Sequence, residues 1–455
     1  MKKVFIKTFG CQANFYDSRR IEDIFISNGY ELSTAMSEAD IIVINSCHVR
    51  EKTGEKIFSE LGRIGSIKNK KISEGKYVAV IVVGCVASAL GENIFMRSPV
   101  VDLVLGSGSY HRIGDMVSKI FSDFEWSSGR RSMDLSFNKE KKFAQLPKER
   151  SRVAICESVV IQDGCDKFCS YCTVPFTRGR EYSRPVEDIM AEIRYLVGHG
   201  SREIILLGQN VNSYSGLNGK NKHSTLAELI YLVNEVDGVD RIRYLTNYPS
   251  QFGDDLIIAH RELDKLMPLI YIPVQSGSNG ILKSMNRKYS REQYIDLISK
   301  IRKNVKNVAF SSDFIVGFPG ETEEDFMATV DLAEIINYGL AFSFKYSPRP
   351  DTSSATMENQ IPEKIKSSRL NRLQTILNQQ QIEFNRSYLA KEVEILIENE
   401  SKENSSLFFG RTPHFQPTMV RSDKKKLANG EIVRVKINGA GLRTLEGDVI
   451  AETSK

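Results

Sequence analysis

The 455-residue sequence lacks the marks of several common classes. Its longest apolar run, Tyr77 to Leu90, is interrupted by glycine. It falls short of the ~20 residues a membrane span requires, so no membrane attachment is expected. No signal peptide precedes the first strand-like run at Val4, and a cytoplasmic location is expected. There is no G-x-x-x-x-G-K-[ST] loop, which argues against a P-loop nucleotidase. Five of the six histidines (His111, His199, His223, His260, His414) show no ligand spacing, and none joins a Ser/Asp or Cys arrangement. His48, beside Cys47, reads as a satisfied polar side chain or as support for that cysteine. No repeat of 20–50 residues and no low-complexity tract is present. Net charge is only +5, too small to name a partner. With 41% hydrophobic and 26% charged residues, wholesale disorder is excluded.

What remains is an alternation of short β-rich runs with helix-period segments. Val4–Thr8, Ile41–Asn45, Tyr77–Val83 and Val101–Leu105 are almost wholly apolar, as in parallel strands buried on both faces. The spacing predicts a helix over Asp17–Asn28, stopped by Gly29. Residues 1–125 therefore form an amino-terminal doubly wound parallel sheet. Residues 126–150 read as a basic linker. From Trp126 to Arg152 there are eight basic residues (Arg130, Arg131, Lys139, Lys141, Lys142, Lys148, Arg150, Arg152) against Asp134, Glu140 and Glu149. Such a stretch is either solvated or in contact with nucleic acid. Residues 151–382 carry six candidate strands: Val153–Val160, Glu203–Leu207, Arg241–Leu245, Leu269–Val274, Val308–Val316 and Ala341–Tyr346. Helical segments separate them, which predicts a partial (β/α)6 barrel with its active face at the carboxyl strand ends. Residues 383–455, with Val393–Ile397, Leu407–Phe409, Ile432–Ile437 and Asp448–Ala451, predict a small antiparallel β-barrel.

Seven cysteines in a reducing compartment point to metal ligation or catalysis rather than to disulfides. Cys165, Cys169 and Cys172 form a CxxxCxxC run directly after the first strand of the central domain. Three thiolates this close can hold three irons of a [4Fe–4S] cluster and leave the fourth open. A structural zinc site would want a fourth ligand, and none lies nearby in sequence. Cys11, Cys47 and Cys85 each fall within three residues of a predicted strand end. In a parallel sheet those ends share one edge, so the three can converge on a second cluster; otherwise they are ordinary small buried residues. Cys156 lies inside a strand and reads as core.

The barrel's strand ends are followed by Gly208-Gln209-Asn210-Val211-Asn212, Thr246-Asn247, Gln275-Ser276-Gly277-Ser278 and Gly317-Phe318-Pro319-Gly320-Glu321. Taken singly these are caps or turns, with Ser278 and Thr322 as candidate N-caps. Together they make a polar rim facing the CxxxCxxC loop. Asp313, mid-strand, is expected in a satisfied polar layer.

These residues carry a resemblance. CxxxCxxC with Tyr171 before its last cysteine resembles the signature of radical S-adenosylmethionine enzymes. Gly10-Cys11-Gln12-Ala13-Asn14, Asn45-Ser46-Cys47 and Gly84-Cys85 resemble the amino-terminal domain of the methylthiotransferases. Gly410-Arg411-Thr412 resembles their carboxy-terminal TRAM domain. Within that family the tRNA-acting members are the most similar, through Gln162-Asp163-Gly164-Cys165, Arg178-Gly179-Arg180-Glu181-Tyr182-Ser183-Arg184, Leu207 to Tyr214 and Pro273 to Ser278. The resemblance implies two [4Fe–4S] clusters, one on Cys165, Cys169 and Cys172 and an auxiliary one on Cys11, Cys47 and Cys85. It implies S-adenosyl-L-methionine held near Gly208, Gln209, Asn210, Gln275, Ser276, Ile315 and Gly317. The implied reaction is methylthiolation of C2 of N6-isopentenyl-adenosine at position 37, in a tRNA anticodon stem-loop. An electron donor, a sulfur source and a monomeric enzyme complete the expectation. Sister substrates are threonylcarbamoyl-adenosine in tRNA and a ribosomal-protein aspartate; a reading from another class is a non-catalytic iron–sulfur RNA-binding protein.

Overall fold

A computed structural model describes residues 1–48, 51–122, 131–423 and 426–450. Trp126 and Arg130 of the basic stretch, and Ala451 of the last expected strand, lie outside the described residues. Among the described residues no helix is long and apolar enough to cross a membrane.

The amino-terminal sheet is wholly parallel. Its strands run in the order Glu31–Leu32, Lys3–Phe9, Ile41–Ser46, Ala79–Val83, Leu103–Leu105 and Ser132–Asp134. Alternate residues serve opposite faces, which is why these strands are apolar throughout. Val43, Ile81 and Val83 pack against Ile21, Ile24 and Phe25 of the helix Gln12–Ser27. Ile42, Ile44 and Val82 pack against Ile57, Leu61 and Ile64 of the helix Glu51–Ser73. The chain leaves Lys3–Phe9 toward one edge and Ile41–Ser46 toward the other. The boundary between these two strands is thus a topological switch point, where such sheets open a crevice at their carboxyl ends.

The reading of residues 126–150 as a linker is corrected. Ser132–Asp134 adds an edge strand to the amino-terminal sheet, and Lys139–Ala144 is a helix capped by Asn138. Lys139, Lys142 and Arg150 are buried. Charge density misled here because the carboxylates that neutralise these cations are distant in sequence: Asp163 for Lys142, and Asp23, Glu157 and Glu192 for Arg150.

The central domain carries six parallel strands in sequence order, as expected. Cys156–Val160, Glu203–Leu207 and Arg241–Leu245 form one sheet; Leu269–Tyr271, Ala309–Val316 and Leu340–Lys345 form the other. An Ile242–Leu266 bridge and the Asn247 N–H to Tyr271 carbonyl bond of 3.2 Å join them. Ser278 caps its helix and Thr322 closes a capping box with Asp325, so both are structural, as their spacing implied. Tyr271 Oη donates to Asp313, which places that carboxylate in a satisfied layer.

After the helix Glu363–Arg386 the tail closes into a five-stranded barrel, one strand more than expected. The additional strand is Pro417–Arg421, whose initial proline and mixed polarity hide it in sequence. It pairs in parallel with Leu445–Val449, so the barrel is antiparallel except at that seam. Two buried arginines of the central sheet fasten it. Arg241 donates to the carbonyls of Arg411 (2.7 Å) and Glu394 (3.1 Å), and Arg243 to those of Pro413 (2.8 Å) and Thr412 (3.1 Å).

Candidate iron–sulfur and S-adenosylmethionine site

Cys11 follows Lys3–Phe9 and Cys47 follows Ile41–Ser46, so the switch point places one cysteine on each side of its crevice. Cys85 opens the helix after the next strand. The approach is close. A Cβ on Gly10, whose φ is +141°, would stand 2.5 Å from Cys47 Cβ and 2.7 Å from Asn14 Oδ1. Asn45 reaches back to the Asn14 carbonyl and to Ser18 Oγ, each at 2.8 Å, and this fixes the start of the helix that Cys11 caps. A hydrogen bond with Cys47, the Arg178 charge and the backbone N–H groups of Asn14 and Ala13 outweigh burial and lower the Cys11 pKa to about 6. Burial raises Cys85, opposed by Arg178.

The second trio lies at the barrel mouth. Gly164, at φ +87°, lets the chain pass against the Gly179 and Arg180 carbonyls, where any side chain would collide. The loop is then pinned from the far side of the barrel. Asn286 Nδ2 donates to the Phe168 carbonyl (2.9 Å), and Ser170 bonds the Met285 and Ser284 carbonyls (3.1 and 2.8 Å). Arg287 Nη1 lies 3.5 Å from Cys169 Sγ while Nη2 is anchored on the Pro273 carbonyl at 2.8 Å. Burial and neighbouring thiolates push Cys165 to about 11 and Cys172 to about 12. Mutual repulsion of this kind is what bound iron would relieve, since ligation deprotonates a thiol outright. Among the described residues no group of three or more His, Cys, Asp or Glu is gathered tightly enough to hold a metal ion. The donor set of each trio, dominated by three thiols, fits a cluster rather than zinc, since Asp166 is turned toward Arg180 and the Glu181 N–H and His48 lies in a separate cavity.

The rim residues fall into two groups. Gln209 Oε1 accepts from the Gly164 N–H at 2.5 Å, and Gln162 Oε1 from the Asn210 N–H at 3.1 Å, so both serve to shape the cysteine loop. Ser276 Oγ is engaged by Thr329 and the Ser278 N–H, and the Gly317 N–H by Glu321. Ile315 packs with Tyr171 onto the patch of Ile281, Met285 and Phe318. By contrast, Asn210 Oδ1 and Asn247 Oδ1 are buried with no hydrogen-bond partner. Thr246 (φ +75°) and Gln275 (φ +74°) hold left-handed backbone at adjacent strand ends, a strain of about 1–3 kcal/mol each that clusters at ligand sites. Two orphan amide oxygens and a strained rim beside the cysteine loop suit a ligand bearing an ammonium group, as S-adenosylmethionine does.

Two features were missed in sequence. Arg287 has no motif around it that would have revealed it. Arg178 was in plain view after the cysteine run, but only the fold shows that it joins both trios. His48, read as satisfied, has a buried Nδ1 without a partner. It lines a cavity of about 40 Å³ with Ser88, Thr173, Phe176 and Asp351, between the two cysteine-bearing segments. Cys156 is partly buried, with its Sγ 3.5 Å from Glu203 Oε1, and lies apart from both trios.

The buried cations also decide how the basic stretch is tested. Lys142→Ala removes one of the cations on buried Asp163, leaving Arg178 to hold it, and is expected to destabilise the protein by about 1–3 kcal/mol, the cost of a lost buried partner. Thermal unfolding reads this loss. The salt dependence of RNA binding should not change, whereas neutralising exposed Lys141 and Lys148 flattens it if they touch phosphates.

A partial parallel barrel with a three-cysteine loop at its mouth defines the radical S-adenosylmethionine class. The family model "Radical SAM superfamily" matches residues 159–333, "Uncharacterized protein family UPF0004" residues 3–106, and "TRAM domain" residues 386–450. The tRNA-2-methylthio-N(6)-dimethylallyladenosine synthase of Rickettsia bellii is 45% identical over 449 residues, 98% of this chain and 99% of its own length. That of Rickettsia prowazekii is 45% identical over 450 residues, 99% and 100%. The chain belongs to the family of these synthases. Among solved structures, the radical S-adenosylmethionine methyltransferase TsrM from Kitasatospora setae shares the fold at TM-score 0.56 and 13% identity, over 78% of this chain and 77% of that one. The cobalamin-dependent enzyme OxsB does so at 0.53 and 14%, over 83% and 56%.

Proposed function

We propose that this chain methylthiolates C2 of N6-isopentenyl-adenosine 37 in tRNA. In this reading Cys165, Cys169 and Cys172 hold the [4Fe–4S] cluster that engages S-adenosylmethionine, and Cys11, Cys47 and Cys85 hold an auxiliary one. When bound, these groups supply the electron that cleaves S-adenosylmethionine and the sulfur that is transferred. The protein's own contribution is positional. Arg287 and Asn286 fix the barrel loop, while Asn210 and Asn247 offer acceptors to the ammonium of S-adenosylmethionine. The Cys47 hydrogen bond and the Arg178 charge favour the Cys11 thiolate, the form that binds iron. The observation that carries the proposal is that Arg178, six residues after Cys172, bonds Asp163 beside Cys165 and Asp17 on the helix that follows Cys11, in a chain of this family. An adenine must leave its stack to reach such a mouth, which is cheapest in a single-stranded loop such as the anticodon loop. The enzyme is taken to act as a cytoplasmic monomer with a separate electron donor.

A competition under anaerobic turnover tests the substrate, with tRNAs isopentenylated, threonylcarbamoylated or unmodified at position 37. The isopentenylated tRNA is expected to dominate. Lost apolar contacts with unmodified adenosine should lower its rate by about 10–200-fold. The carboxylate of the threonylcarbamoyl group, buried in a slot made for an apolar chain, should be rejected more strongly. Preferential reaction of the threonylcarbamoylated tRNA would transfer the assignment to the sister activity.

A further inference from the structure

Arg178 occupies a position that neither cysteine trio alone explains. It follows the short helix Val174–Thr177, just after Cys172. Its guanidinium is 3% exposed and divides between the two domains. Nη1 donates to Asp163 Oδ1 at 3.0 Å, and Nη2 to Asp17 Oδ2 at 2.6 Å. Asp163 stands two residues before Cys165. Asp17 lies in the second turn of the helix that Cys11 caps. Lys142 Nζ completes the group, 2.8 Å from Asp163 Oδ2 and 3.8 Å from Asp17 Oδ1. The guanidinium also reaches the Cys85 thiol.

Two cations and two carboxylates balance one another inside this quartet; of these groups Arg178 is the one that favours the thiolates of Cys11 and Cys85, a buried and permanent charge opposed at Cys85 by Asp17. The planar fork matters. It bonds one carboxylate from each domain with separate nitrogens held in one plane, at 3.0 and 2.6 Å, whereas the Lys142 ammonium holds Asp163 at 2.8 Å and only approaches Asp17 at 3.8 Å. Because each carboxylate is tied to one cysteine loop within a few residues, the fork fixes how the loops face each other.

Resting on the two-cluster reading above, we infer that Arg178 is a positioning residue: it sets the register of the two cysteine trios and places a fixed positive charge against the auxiliary one. The test uses the full-length chain carrying Cys165, Cys169 and Cys172→Ala, so that only Cys11, Cys47 and Cys85 can hold iron. After anaerobic reconstitution, iron content, the electron paramagnetic resonance spectrum of the reduced cluster and its reduction potential are measured with and without Arg178→Gln. Removal of the charge should make the potential more negative and shift the g values, while iron is retained. Arg178→Lys, in the otherwise native chain, should keep the charge yet lower the ratio of methylthio product to 5′-deoxyadenosine, because the fork is gone.

An unchanged potential and spectrum in Arg178→Gln, with only a lower melting temperature, would reduce Arg178 to a structural ion pair and overturn the inference. If Arg178→Gln does not fold, Arg178→Lys decides: a native coupling ratio refutes the positioning role, and a depressed one supports it. A parent that loads no iron refutes the auxiliary site itself, a failure visible before Arg178 is touched.

Discussion

Replacing Cys165, Cys169 and Cys172 together by alanine is expected to abolish reductive cleavage of S-adenosylmethionine, with no 5′-deoxyadenosine detectable. The three thiols are the only ligand-type side chains on their loop besides Asp166, which is exposed and turned toward the Arg180 side chain and the Glu181 N–H. About half of the reconstituted iron should remain, on the other trio, because each trio holds one cluster of equal size. Folding should survive, since the loop is pinned by Asn286, Ser170 and the Gly179 carbonyl, none of which depends on a thiol. The measurements are iron per chain and 5′-deoxyadenosine by mass spectrometry. Turnover by the triple variant would overturn the assignment of the barrel cluster.

Much of this site was legible in the sequence because its geometry follows from strand order. Glu203–Leu207 and Arg241–Leu245 begin and end where their apolar pattern predicts. In a parallel sheet that alone places Gly208 and Thr246 on one rim. Cys11, Cys47 and Cys85 were recoverable in the same way, since one βα unit between cysteines returns each to the same edge. The charges were not legible. Lys142 and Arg178 look like surface cations until the fold brings Asp17 and Asp163 to them, a separation that no local pattern encodes. Burial reverses the meaning of a basic residue, from a phosphate contact to an internal ion pair. The orphan amide oxygens of Asn210 and Asn247 were hidden for a related reason: sequence shows an amide, but only packing shows which of its atoms is left without a partner.

Replacing Cys11, Cys47 and Cys85 together by alanine should separate the two halves of the chemistry. The variant is expected to form 5′-deoxyadenosine, because the barrel loop draws its support from residues 284–287 and 353–354 rather than from the amino-terminal cysteines. Methylthio product should fall below detection, since no sulfur-bearing group would stand across from the barrel mouth. The physical case rests on placement. Small apolar residues could fill these positions if packing were their purpose, yet the pKa of the Cys11 thiol, beneath an exposed residue surface, is lowered by Cys47, Arg178 and two backbone N–H groups. Burial drives the Cys156 thiol well above its ordinary value and raises Cys85 as well, so Cys11 is set apart by the partners that oppose its burial. The crevice between Lys3–Phe9 and Ile41–Ser46 is also where a doubly wound sheet binds its ligand. Product analysis of digested tRNA, run beside 5′-deoxyadenosine quantification, decides the matter. Full methylthiolation by this variant would return the three cysteines to ordinary core residues.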